Sequence, residues 1–228
     1  GILVSNMLTA AAATSSTVTT AAGVAVADEA GRHEYISIQG NTIVNALVGI
    51  AARGYNHPSS PYNRYDHFLE VGTQIGNTIT GFGFGSTTAP HGIYAVYQDS
   101  ARIANNTVDG GDGATTNCYG ILATGSIGAE IWIESNTVTL TSAAGTASLI
   151  GISVNYSGTG SRARLYSNTI SNCIYSSATS GSFYGVFNAG AIGELYLDSN
   201  RVAGNSLAGS GTMYLLYGGG RGGLTHLT

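Results

Sequence analysis

The sequence predicts an all-β solenoid of about seven stacked coils, each holding roughly three short strands, with almost no helix. Three observations lead there. A short element ending in Asn-Thr-Ile/Val, or Asn-Arg-Val in its last copy, recurs, with its asparagines at positions 41, 77, 106, 136, 168 and 200 and spacings of 36, 29, 30, 32 and 32 residues. A second element, glycine followed by an aliphatic residue, begins at Gly1, Gly23, Gly49, Gly92, Gly120, Gly151 and Gly185, with a degenerate copy near Tyr214–Leu216. Within both elements apolar and polar residues alternate, which is the period of a strand and not of a helix.

Each element follows from its residues. Before the asparagine, the aliphatics Ile36 and Ile38, Ile131 and Ile133, and Leu195 and Leu197 point to the interior, and Ser37, Trp132 and Tyr196 between them point outwards. Two residues after each asparagine stands Ile or Val. In the Gly elements Ile2, Ile50, Ile93, Ile121, Ile152 and Val186 are expected inside, joined from the Asn elements by Ile103, Ile133, Leu165 and Leu197. A single coil cannot bury its own apolar face, so neighbouring coils must stack. Asparagine suits the turn between strands because it tolerates a left-handed bend, and its amide can bond the same amide one coil on. Asn106, Asn136, Asn168 and Asn200 are therefore expected to form a ladder, while Ser142 reads as a loop residue.

This run of Asn-Thr-Ile/Val elements with a Gly-Ile strand in each turn resembles the right-handed parallel β-helix repeat proteins, the pectin-lyase-like group. The likeness spans residues 1–228 as a single segment. That group contains lyases, hydrolases, phage tailspikes and surface adhesins, so the resemblance implies a fold more than an activity. The uncharged, Ser/Thr/Asn/Gly-rich style is most similar to repetitive bacterial cell-surface and secreted members.

Composition narrows the function classes. Charged residues make up 9% of 228, the net charge is −4, and the eight basic residues are all arginine. A nucleic-acid binder needs a basic stripe to neutralise phosphates, and none is present. Residues 1–27 carry no charge, but their many serines and threonines make the stretch too polar for a spanning helix. The expectation is a non-enzymatic structural or adhesive rod, extracellular or on a cell surface, that is not membrane-spanning. The alternative is a polysaccharide lyase or hydrolase, or a tailspike-like glycan binder.

Outward positions identify the surface to watch. Arg102, Trp132, Arg164 and Tyr196 share one phase of the repeat, and Glu134, Tyr166 and Asp198 share the next. Stacked at about 4.8 Å per coil, they form two columns whose aromatic and guanidinium groups suit cation–π stacking or contact with sugar rings. Arg102, Trp132, Arg164, Tyr166 and Tyr196 are the candidate ligand contacts, for a glycan or cell-surface partner. A solvated face of cross-strand pairs is the plainer reading of the same residues.

No catalytic residue, cofactor or metal is assigned. The cluster from Arg53 to Glu70 contains His57, Asp66, His67 and Glu70, but its histidine spacing matches no zinc site. Asp109-Gly-Gly-Asp112-Gly fits a turn before it fits calcium. Cys118 and Cys173 occupy different phases of the repeat, so a bridge between them is not expected. The repeat is already running at Gly1 and still reads as strand at Met213–Tyr217. This leads to the expectation of a longer parent chain or end-to-end self-assembly of copies.

Overall fold

The computed structural model describes residues 1–5, 32–54, 65–125, 129–218 and 224–227. Within them the chain is a parallel β-solenoid with three faces. The first face stacks Ile2–Ser5, Val48–Arg53, His91–Val96, Cys118–Thr124, Leu149–Asn155, Ser182–Asn188 and Thr212–Gly218. The second stacks Ser37–Ile38, Glu70–Val71, Ala101–Ala104, Glu130–Glu134, Gly158–Tyr166, Ile192–Asp198 and Leu224–Leu227. The third stacks Thr42–Val44, Thr78–Phe82, Thr107–Gly110, Thr137–Ser142, Thr169–Ser171 and Arg201–Ala203. Two short strands, Ile174–Ala178 and Ser206–Gly209, extend the third face past a bend, and Asp66–His67 pairs with Gln98–Asp99 at the corner between the first two faces.

The expected seven coils are not matched. From Val48–Arg53 to Thr212–Gly218 the chain returns to the first face about five times. The excess came from taking every Gly-aliphatic element as a rung. Ile2–Ser5 pairs directly with Val48–Arg53, with Ile2 opposite Ile50, so no rung separates them on this face. The Gly23 element and Ser15–Val18 lie outside the described residues.

The interior is a column of aliphatics. Ile50, Ile93, Ile121, Ile152, Val186, Ile103, Ile133, Leu165 and Leu197 are all buried as expected, and Ile2 is half-buried against them. The first-face glycines have a specific reason. A Cβ on Gly120 would stand 2.5 Å from the Gly151 carbonyl oxygen and 2.5 Å from Val138 Cγ1, far inside contact distance. The same holds for Gly92 against Val108, Gly151 against Ile170 and Gly185 against Val202. Those partners are the Ile/Val residues two places after each ladder asparagine. The two repeat elements thus fill one slot between them.

The asparagine ladder extends from Asn41 to Asn200. Each Nδ2 donates to the next Oδ1 at 2.8–3.0 Å, through Asn41, Asn77, Asn106, Asn136, Asn168 and Asn200. Each backbone N–H from Asn41 to Asn168 donates to that same oxygen at 2.9–3.1 Å. From Asn77 onward the second Nδ2 hydrogen reaches the carbonyls of Ile38, Val71, Ile103, Ile133 and Leu165 at 2.7–3.0 Å. The left-handed bend sits one residue earlier than expected. Positive φ of 52–58° falls on Asn105, Ser135, Ser167 and Ser199, leaving the ladder asparagine free to turn its amide inwards. Ser142 is also not a loop residue: it ends a third-face strand, buried, and its Oγ accepts from the Ala144 N–H at 3.2 Å.

Cys118 and Cys173 are free and buried. Burial pushes their thiols up to about 12 and about 11, so both stay protonated at neutral pH.

Asn136→Ala should therefore destabilise the chain by about 1–3 kcal/mol, because the Asn106 N–H and amide lose their acceptor in a dry interior. Thr137→Ala, on the exposed side of the next residue, should stay within about 0.5 kcal/mol. Urea denaturation of the two variants measures the difference.

Candidate functional site

The second face places the expected column in register. Glu70, Arg102, Trp132, Arg164, Tyr196 and His226 lie opposite one another on successive strands, and Ala104, Glu134, Tyr166 and Asp198 run alongside. A third column of Glu130, Arg162 and Glu194 flanks them. Alternation of a flat strand puts all of these outwards while Ile103, Ile133, Leu165 and Leu197 fill the core.

Each arginine on this face is held by a carboxylate or a ring. Arg102 pairs with Glu134 one coil on. Arg162 Nε donates to Glu194 at 2.6 Å and lies 3.6 Å from Glu130, which also sits 3.6 Å from Arg164. Arg164 stacks over the Tyr196 ring at 4.5 Å, and His226 covers the opposite side with its plane 1° from parallel and its centroid 4.4 Å away. The Tyr196 hydroxyl donates to Glu194 at 2.9 Å. The Arg162 hydrogen bond, followed by that of Tyr196, holds the Glu194 carboxyl below its usual range. The bond to Glu194 raises the Tyr196 phenol in turn. Of the five candidate contacts, Arg102, Arg164 and Tyr196 are thus engaged with neighbours. Tyr166 is 48% exposed.

Trp132 stands in a different setting. It lines a groove of about 340 Å³ with Phe68, Glu70, Ser100, Arg102 and Glu134. Phe68 forms one wall and stacks on Tyr35 at 4.9 Å. The groove was not foreseen, because Phe68 and Ser100 lie outside the two recurring sequence elements, although with Tyr35 they occupy one position of the coil, two residues before the paired Ser37, Glu70 and Arg102. Phe68 and Ser100 have positive φ, 59° and 53°, where the chain kinks into the second face.

The acidic and histidine cluster divides instead of converging. Asp66 is buried, accepting from the His33 N–H at 2.8 Å and from Gln98 Nε2 at 3.3 Å. Burial raises its carboxyl above the ordinary value, opposed by the His33 backbone bond. His67 Nε2 faces Asp99 at 3.9 Å, and Glu70 belongs to the groove. His57 lies outside the described residues. Among the described residues no three His, Cys, Asp or Glu side chains are placed to hold a metal. Of the Asp109–Gly113 stretch, Asp109 and Gly110 end the strand Thr107–Gly110, and the turn follows at Gly111–Gly113, where Gly111 and Gly113 take positive φ of 88° and 73°.

A second surface escaped the sequence reading. On the first face, the residues before each glycine align as Val48, His91, Tyr119, Ile150, Tyr184 and Tyr214. Those two after it align as Ala51, Tyr94, Leu122, Ser153, Phe187 and Tyr217. The strip carries no acidic or basic side chain other than His91. Its rings stack along the axis, His91 on Tyr119 at 5.0 Å and 5°, and Tyr184 on Tyr214 at 5.0 Å and 8°. Ala51, His91, Ile150 and Ser153 are buried within the strip, while Tyr94, Tyr119, Tyr184, Phe187 and Tyr214 are partly exposed. The available signal was the bulky residue flanking each repeat glycine.

Comparison with protein-family models, curated proteins and solved structures finds no match. No helix among the described residues is long and apolar enough to cross a membrane.

Burial between the Tyr94 and Tyr119 rings lowers the His91 imidazole to about 4, against a backbone bond to Ala89 that raises it. Since the folded value lies below the unfolded 6.5, the unfolded chain binds the extra proton between them. Stability held above pH 6.5 should fall as pH drops towards 4. Thermal melts across that window should show the slope, and His91→Gln should flatten it.

Proposed function

We propose that the chain is a right-handed parallel β-helix of the pectin-lyase-like type, serving as a non-enzymatic structural or adhesive segment of a secreted or cell-surface protein. Parallel strands joined through the other two faces are right-handed crossovers in nearly all known sheets. The second face is its contact surface, with Trp132 and Tyr166 meeting a glycan or cell-surface partner and Arg102, Arg164 and Tyr196 holding the column rigid around them. The observation that carries this reading is the engagement of every arginine on that face. Its arginines are bound to carboxylates and rings, which favours a stiff display surface over a site with groups poised for proton transfer.

The rival reading, a polysaccharide lyase or hydrolase or a tailspike-like binder, draws on one feature. Glu70 and Glu134 both line the groove beside Trp132, and glycoside hydrolysis uses two carboxylates. Glu134 is already bound to Arg102, however, and a third convergent carboxylate is lacking among the groove's lining residues.

Incubating the chain with insoluble and soluble polysaccharides distinguishes the two. Retention on a glycan without new reducing ends or unsaturated products, reduced about tenfold by Trp132→Ala, is the expected result. Product formation abolished by Glu70→Gln would establish the enzyme instead.

A further inference from the structure

Resting on the glycan reading of the second face, we infer that the groove between Phe68 and Trp132 takes an amino sugar carrying a free ammonium group, and discriminates against acidic sugars. Three observations combine. The first is the charge of the groove. Arg102 is drawn to Glu134, which leaves Glu70, whose Oε2 accepts only from the Thr73 hydroxyl at 3.2 Å and which pairs with no cation among the described residues. The groove therefore presents one uncompensated carboxylate. A uronate would bring its own carboxylate against Glu70 and Glu134, whereas an ammonium group complements them.

The second observation is the pair of aromatic walls. The Tyr35-backed Phe68 stands two residues before Glu70, and Trp132 lines the same groove two coils on, beyond Arg102. Indole and phenyl faces attract cations through their ring quadrupole and shed water from the C–H face of a pyranose. Aromatic walls and an unpaired carboxylate in one groove are the combination that an ammonium-bearing sugar satisfies on both counts.

The third is size and access. Glu70 and Trp132 are two coils apart, about 9.6 Å along the axis. The volume of about 340 Å³ falls at the lower end of ligand sites, roughly 300–1,000 Å³, and fits one or two sugar rings. A basic peptide is the competing cationic ligand. The groove gives it no backbone partner: Ala101–Ala104, running beneath, is paired with Glu70–Val71 on one side and Glu130–Glu134 on the other, so it offers no free edge. Ligands meet side chains alone, which favours a hydroxyl-rich ring.

Calorimetric titration of the chain with four probes tests the inference: a glucosamine tetramer, an N-acetylglucosamine tetramer, a galacturonate tetramer and an octalysine peptide. The glucosamine tetramer should bind at least about tenfold more tightly than its acetylated form, with the galacturonate weakest. Rising salt should weaken it, since the contact is charged and solvent-facing. Glu70→Gln should erase the preference, a loss of about tenfold or more for a charge-assisted bond, so that the two tetramers bind alike. Trp132→Ala should weaken both, with Trp132→Phe retaining part of the affinity and unchanged melts showing that each variant is folded. Equal binding of all sugars, a preference that survives Glu70→Gln, or tightest binding of the galacturonate overturns the ligand class and leaves the glycan reading standing. Binding of octalysine alone, or of none of the sugars, overturns both.

Discussion

The structure depends on a buried amide that can be satisfied only by the same amide one coil further on. Asn77, Asn106, Asn136 and Asn168 are at most 1% exposed, so an unpaired group there carries its full desolvation cost. Each amide oxygen takes two hydrogen bonds from the preceding asparagine, and from Asn77 onward each amide nitrogen is shared between the next oxygen and a carbonyl behind it. No member can shift alone without breaking bonds on both sides. That fixes the axial register of every coil, and the columns on the outer faces inherit it.

The glycine column works with the ladder. Where the first-face strand approaches the third, the Ile or Val after each asparagine occupies the volume that a glycine Cβ would need. The two repeat elements, about half a coil apart in sequence, are complementary halves of one contact. The backbone can approach so closely because the coils are flat and the strands parallel. Side chains on the outside of a flat strand fall at the coil spacing, which is also the spacing at which aromatic and guanidinium groups stack. The Arg164–Tyr196–His226 pile on the second face and the tyrosine pairs on the first are consequences of this geometry.

Periodicity carried most of the fold. The Asn and Gly spacings located the three-faced coil, its interior aliphatics and the Arg102–Trp132–Arg164–Tyr196 column, because each is set by position within a repeat. What the sequence hid was set by departures from it. The elements at Gly1 and Gly49 stand far apart in sequence, yet Ile2 pairs directly with Ile50. The left-handed bend falls on the residue before the asparagine, Asn105 or a serine, since the asparagine amide is committed to the ladder. The groove at Trp132 depends on Phe68 and Ser100, which share with Tyr35 a left-handed kink before the second face that no recurring residue type marks, and the engagement of Tyr196 by His226 joins residues 30 positions apart in sequence.

If the ladder is the spine, its backbone amides should open only when the whole solenoid does. Native-state hydrogen exchange at Asn77, Asn106, Asn136 and Asn168, whose N–H groups all donate to a neighbouring Oδ1, reads this directly. The account predicts opening free energies equal to that of global unfolding and falling with denaturant at the same slope. Exchange of these amides through small local openings, with a free energy well below the global value and insensitive to denaturant, would contradict it.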